Sequence, residues 1–210
     1  MPLLTVELDE KLSPGQIGQR YFKLYQKARN AQTLAAEQIE KTEAELNYLE
    51  GQMDNLSKCQ EESELFELRQ ELEKFGYVKP NKSRRQLKQL PPSRPMRFTA
   101  HSGRVVLVGK NNLQNDKLTG TAQPNEVWLH AKDMPGSHVI IVGEDPDDDT
   151  IRYAARLATL YSKGRASSRV PVDYTLRRYV KKPGGAKPGF VIYTNQHTLY
   201  VPPAEETTPV

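Results

Sequence analysis

The sequence predicts an α+β protein: a long antiparallel coiled-coil helical arm, then a mostly antiparallel sheet domain with one main helix. Three observations predict it. Apolar residues recur every seven positions through the first quarter of the chain, short apolar runs of period two fill the second half, and the charge changes sign between them. Residues 1–78 hold 9 Lys/Arg against 15 Asp/Glu, a net of −6. Residues 79–210 hold 21 against 11, a net of +10, which restores the overall +4. A mean hydropathy of −0.70 with 37% hydrophobic residues is low for one compact globule of 210 residues, as expected if part of the chain is elongated. A basic body is the footprint of a polyanionic partner, most often nucleic acid.

Val6 to Leu8 reads as a short strand or an extended lead-in. Ser13-Pro14 then opens a helix, with serine at the N-cap and proline at the first helical position. One seam of the repeat takes Tyr21, Ala28, Ala35, Thr42, Leu49 and Leu56; the other takes Tyr25, Gln32, Ile39, Leu46 and Met53. Alternating steps of four and three over five heptads are a coiled-coil signal. The helix should run from Pro14 to Ser57, roughly 65 Å at 1.5 Å per residue. Gly51 weakens it by about 1 kcal/mol relative to alanine, but the register survives it, so the reversal belongs at Ser57–Glu62. Leu65, Leu68, Leu72 and Phe75 mark a second helix, and Gly76 sits where a capping glycine belongs. Residues 14–75 thus read as an antiparallel helical hairpin or two arms of a longer coiled coil. Their charged faces argue against helices simply packed on the body.

Lys79 to Arg97 carries seven Lys/Arg, no acid and four prolines, which rule out one continuous helix. It is a basic linker or a strap along phosphates. The domain plan is therefore an arm over 1–78, a linker over 79–97, a body over 98–205 and a frayed tail over 206–210.

In the body, Arg97–Ala100 and Arg104–Val108 are strands around a His101-Ser102-Gly103 turn. Lys110 to Thr119 starts as a loop and becomes a short helix, with Asn111, Asn112, Gln114, Asn115 and Asp116 crowded at its start. Helix N-terminal N–H groups form an anion site, although the GxxxxGK[ST] phosphate loop is absent. Glu126–His130 and Ser137–Val142 are strands joined by a short turn, which brings His130 near His138. The acids of Glu144 to Asp149 cap the helix Thr150–Ser162 rather than bind calcium. Ser162–Arg169 reads as a flexible basic loop. Val170–Tyr174, Arg177–Lys182, Phe190–Thr194 and Thr198–Val201 complete the strands, with the basic loop Lys181–Gly189 as a hairpin connection whose three lysines would also touch phosphate. The chain frays from Pro202.

The candidate RNA-binding residues are Lys110, Asn111, Asn112, Gln114, Asn115, His130, Lys132, His138, Lys163 and Arg165. Amides read nucleotide edges, and lysine with histidine suits phosphate. The same residues would look alike if they only braced their own loops. No cofactor and no metal are expected, since Cys59 is the single cysteine and HxH and HExxH spacings are absent. Cys59 reads as inert. With no apolar run of membrane length and no apolar leader, a cytoplasmic protein is expected. No nucleophile, base and orienter set is visible, so the chain is not expected to be an enzyme; a nuclease using His130 and His138 is the catalytic alternative.

VGKNNLQNDKLT, WLHAKDMPGSHVII, LATLYSKGR, VDYT and KPGGAKPGFVIY resemble the NFACT-R domain, also called DUF814. LDEKLSPGQ, QRYFKLYQKARNA, ELNYLE and ELRQELEKFGYV resemble the coiled-coil middle region (CC-M) that precedes it. Together they cover nearly all of 1–205, so the chain resembles the NFACT family of ribosome quality-control proteins. Its bacterial RqcH-type members are also known as fibronectin-binding protein A homologues. The resemblance implies an RNA- and ribosome-binding part of a factor that binds obstructed large ribosomal subunits, with rRNA, peptidyl-tRNA and alanyl-tRNA as partners, and supports template-free alanine tailing. It also implies that the arm reaches along the ribosome while the R domain touches RNA. Complete members add an N-terminal NFACT domain and a helix-hairpin-helix, for which there is no room here. Met1-Pro2-Leu3 therefore reads as the start of a piece of a longer protein, and the Asp-Arg pair used in tailing belongs to the missing domain. Gly120 departs from the lysine or arginine common after the LT pair, which lowers the local charge. The alternative, a fibronectin-binding adhesin, follows from the family's other name.

Overall fold

A computed structural model describes residues 8–9, 11–80, 93–205 and 209. The expected lead-in strand lies outside them except for Leu8, as do most of the basic linker and most of the tail. The chain divides into two compact units, Met1–Leu46 and Asn47–Val210.

Helix α1, Pro14–Lys58, starts as predicted. The Ser13 N–H donates to Gln16 Oε1 at 2.8 Å and the Gln16 N–H returns to Ser13 Oγ at 3.4 Å, a reciprocal cap. Gly51 does not break it. In the first unit the seam stays open to solvent: Tyr25, Ile39 and Leu46 are all more than half exposed. The expected coiled-coil arm is therefore not formed by the described residues. Helix α2, Glu62–Lys74, is only 13 residues against 45 in α1, so it can match about 20 Å of helix. It closes as expected: Gly76 takes φ +81°, and the Tyr77 N–H reaches the Leu72 carbonyl at 2.9 Å.

The second unit is built on a six-stranded antiparallel sheet of order β1-β2-β4-β3-β5-β8. The strands are β1 Met96–Thr99, β2 Val105–Val108, β3 Val127–Ala131, β4 Val139–Ile141, β5 Val170–Leu176, β6 Val180–Lys181, β7 Ile192–Tyr193 and β8 His197–Val201. β6 and β7 pair separately, Val180 with Tyr193, so the Lys181–Gly189 loop is the hairpin connection expected. Period two sorts the residues. Val106, Val108, Val127, Leu129, Val139, Ile141 and Val172 face one way and meet helix α4, Asp148–Leu160, through Ala154, Ala155, Leu157 and Ala158. Small alanines let this helix lie close to the sheet. Asp147 caps it, its Oδ1 accepting the Thr150 N–H at 2.7 Å. On the opposite face Trp128 and Ile140 meet Leu118 of helix α3, Asn112–Thr121, and Val180 of β6.

Three expectations in this unit are corrected. Lys163–Ala166 is a short 3-10 helix capped by Ser162 Oγ, which accepts the Gly164 N–H at 3.1 Å, rather than a loose loop. Arg177–Tyr179 is another 3-10 turn, not strand. Pro202 to Ala204 is not frayed: Ala204 is buried and its N–H donates to the Arg156 carbonyl of α4 at 3.1 Å.

Candidate functional site

The amide cluster lies where β2 runs into α3, and its local geometry follows from sequence. Asn111 is the N-cap of α3: its Oδ1 accepts the Gln114 N–H at 2.9 Å, and Gln114 Oε1 accepts the Lys110 N–H at 3.1 Å. The Asn115 side chain reaches past the helix to accept the His138 N–H at 3.0 Å, while the Gly109 N–H donates to the His138 carbonyl at 3.0 Å. A Cβ on Gly109 would come within 2.1 Å of Asn115 Oδ1, so only glycine admits this brace. The Gln114 N–H of the first turn is thus engaged by the cluster itself rather than presented to an anion.

The outward-facing half of the cluster meets α2. Glu64, Glu67 and Glu71 recur at spacings of three and four, which puts three carboxylates on one helix face. Lys110 Nζ pairs with Glu64 and lies 4.0 Å from Glu61. Asn111 Nδ2 donates to Glu67 at 2.7 Å, and Asn112 Nδ2 to Glu71 at 3.2 Å. Ser93 joins in: its N–H and Oγ both donate to Glu67, at 2.8 and 2.6 Å, and Gln114 Nε2 donates to Ser93 Oγ. The charged face of α2 is therefore its docking face, the reverse of the solvated face expected. Burial works against ionisation of Glu64, but the Lys110 ammonium and the N–H groups of Gln60 and Glu61 outweigh it and hold its pKa below the usual carboxylate value.

Glu71 is the most enclosed member, 1% exposed. Its Oε1 accepts from Tyr48 at 2.9 Å, Gln52 at 2.5 Å and Asn112, whereas Oε2 has no partner among the described residues. Burial drives its pKa up. Glu71→Gln keeps the shared acceptor and removes the charge, so it should stay within about 1 kcal/mol of the parent, whereas Glu71→Ala strands three donors and should cost about 1–3 kcal/mol. Urea unfolding at neutral pH separates the two; equal losses would show that the charge itself matters.

The remaining candidates divide. Lys163 Nζ donates to Glu50 at 2.7 Å, and Arg165 Nη1 to Asp54 at 2.7 Å, so both cations face carboxylates of α1. His130 and His138 come together as the strand order predicts, ring centroids 5.4 Å apart, with Trp128 stacked on His130 at 5.8 Å. His138 is buried, its Nδ1 lying 2.7 Å from Thr119 Oγ1. Burial pulls the pKa of His130 down to about 4 and, with the neighbouring His130, that of His138 to about 3. Both are neutral near pH 7. Lys132, directly after β3, donates its N–H to the Pro171 carbonyl at 2.9 Å. Its ammonium has no ion pair or hydrogen bond among the described residues.

The α2 carboxylates escaped the sequence reading, although their stripe of three-and-four spacing was a usable signal. Lys187, expected among the lysines that touch phosphate, is held by tyrosines: Nζ donates to Tyr77 Oη at 2.6 Å and sits 4.1 Å from the Tyr48 ring centroid, a cation–π seat. Asp116 holds the same loop through the Gly189 N–H at 3.0 Å and Lys182. Gly189 has φ +79° and lies against Asn112, where a side chain would collide. Among the described residues no group of His, Cys, Asp or Glu is arranged to hold a metal, and no helix is long and apolar enough to cross a membrane. The Cys59 thiol, half-buried and donating to the Asn55 carbonyl at 3.3 Å, has its pKa raised by burial, which disfavours the reactive thiolate.

Comparison with known proteins bears on both parts of the chain. The description "NFACT N-terminal and middle domains" matches residues 2–90, and "NFACT protein RNA binding domain" matches residues 94–183. The chain is 43% identical over 208 residues to the Rqc2 homolog RqcH of Bacillus subtilis (strain 168), covering 98% of this chain and 36% of that protein. The Rqc2 homolog RqcH of Streptococcus suis (strain 05ZYH33) is 44% identical over 206 residues, 97% of this chain and 37% of that one. Among solved structures, the C-terminal of the fibronectin/fibrinogen-binding protein from Streptococcus suis superposes with a TM-score of 0.81 at 43% identity, covering 93% of this chain and 78% of that one. The chain thus spans little more than a third of the length of the curated relatives it matches.

Proposed function

Since the chain belongs to the NFACT family, we propose that it is the RNA- and ribosome-binding part of a cytoplasmic ribosome quality-control factor. In this reading the whole factor engages obstructed large subunits carrying peptidyl-tRNA and adds alanine from alanyl-tRNA without a template. This chain binds and positions and does not catalyse. The observation that carries the reading is the RNA-binding-domain match over 94–183, which falls on the part of the sequence with net charge +10. The exposed seam of α1, with Tyr25, Ile39 and Leu46, supports a coiled coil completed by a helix from outside this chain.

The test is co-sedimentation with purified large subunits, with and without bound peptidyl-tRNA, across a salt series. Log affinity should fall linearly with log salt, as counterion release requires. Absence of binding at every salt concentration would sink the proposal for this chain. Adhesion is the second reading, favoured by the name of the Streptococcus suis protein whose structure superposes. Capture of fibronectin that survives nuclease treatment would favour it.

A further inference from the structure

The fold consumes many of its own cations. Lys110, Lys163, Arg165 and Lys182 all face carboxylates, and Lys187 sits on tyrosines. Among the cations that face no carboxylate, Lys132 and Arg169 lie on a different surface. On the Trp128 face of the sheet, strand register fixes a row: Lys132 bonds to Pro171, and Pro171 is the partner of Tyr200 on β8. Adjacent strands are about 4.8 Å apart, so Lys132 and Tyr200 stand about 10 Å apart across Pro171. Arg169 lies two residues before Pro171 and shares its face by the two-residue period. Its guanidinium carbon is 6.0 Å from the Tyr200 ring centroid and its Nε donates to the Tyr200 carbonyl at 3.2 Å.

Tyr200 is 60% exposed although it belongs to the outermost strand of the sheet. An edge strand needs only charge or shortness to resist unwanted pairing. It does not need a large ring held beside a guanidinium. One acid beside the row is spent: Asp173 accepts Tyr193 Oη at 2.9 Å and Thr198 Oγ1 at 2.5 Å. Asp133, next to Lys132, contributes charge near Tyr193. The covering elements α3 and β6–β7 pack over Trp128 and Ile140, in the middle of this face.

We propose that Lys132, Arg169, Pro171 and Tyr200 form a stacking site for an unpaired nucleotide of RNA. The base lies on the Tyr200 ring, continuing the stack that Arg169 begins, and the adjoining phosphates meet Lys132 and Arg169. A duplex keeps its bases stacked on each other and gains little from the ring. The site therefore selects single-stranded or looped RNA. This rests on the RNA-binding reading above and adds to it the place and the form of RNA.

The experiment measures anisotropy of a labelled oligouridylate about ten nucleotides long, and of an RNA duplex, with the parent chain, Tyr200→Ala, Tyr200→Phe and Lys132→Ala. Tyr200→Ala should weaken oligouridylate binding roughly 5- to 150-fold, Tyr200→Phe should retain it, and duplex affinity should be unchanged. Ultraviolet cross-linking should mark the peptide that carries Tyr200. If the parent binds oligouridylate and Tyr200→Ala binds it equally well, this site is wrong while the RNA reading stands. If the parent binds neither RNA, both fall.

Discussion

Lys110→Glu should destabilise the sheet-bearing unit by about 3 kcal/mol at neutral pH. The ammonium of Lys110 pairs with Glu64, whose side chain is 6% exposed, and it also approaches Glu61. Reversing the charge sets a new carboxylate against a buried one and removes the ammonium that helps keep Glu64 ionised. Breaking a buried pair costs about 3–5 kcal/mol, and the lower figure applies because Lys110 keeps 22% of its side-chain exposure. For a domain of this size that is a fall in Tm of roughly 6–12 °C. Lys110→Met leaves Glu64 unpaired without adding repulsion and should fall between the two. Trp128, fully buried beneath α3, supplies the fluorescence signal for urea unfolding. A Lys110→Glu midpoint equal to the parent's would refute the bracing role. The result also governs RNA work, because loss of binding in this variant would report a displaced α2 as readily as a lost phosphate contact. Lys132, which braces nothing through its ammonium, is the cleaner probe.

The contrast between Lys110 and Lys132 shows how far the sequence could be read. Period two placed β1 to β5 and β8 to within a few residues, and it put Trp128 and His130 on one face because alternation is a local property. The turn between β3 and β4 was short enough to force His130 beside His138. Ser13-Pro14 and Gly76 marked helix ends for equally local reasons. The α2 face was misread because carboxylates in one sequence look solvated until their partners are known, and Lys110, Asn111 and Asn112 lie some forty residues away. The amide cluster was found, but bracing and binding use the same hydrogen bonds, so residue type could not separate them. The row of Lys132, Pro171 and Tyr200 depends on the pairing of β3 with β5 and of β5 with β8, which alternation alone does not specify. Lys163–Ala166 and Pro202–Ala204 look loose in sequence because their order comes from Ser162 and from α4, not from their own composition.

Between pH 7 and pH 5 the unit should lose roughly 4 kcal/mol of stability through His130 and His138 together. An unfolded histidine titrates near 6.5, whereas burial holds these two at about 4 and about 3. Below pH 6.5 the unfolded chain takes up protons that the folded one refuses, so stability is full above that value and drains as pH falls toward the folded values. At pH 5 each group lies about 1.5 units below its unfolded pKa, worth roughly 2 kcal/mol. Glu71, with its raised pKa, works in the opposite sense: the folded state binds its proton more readily, so acid favours folding there. Glu64, held below the usual carboxylate value, contributes its loss only at still lower pH. His138→Gln isolates the histidine contribution. It costs stability at pH 7 by disturbing the contact with Thr119, but its fall from pH 7 to pH 5 should be smaller than the parent's by about 2 kcal/mol. Urea midpoints at the two pH values measure both slopes. An identical fall in the two proteins would mean that His138 takes a proton in the folded state as easily as in the unfolded one, which a ring buried between Trp128, His130 and Thr119 should not do.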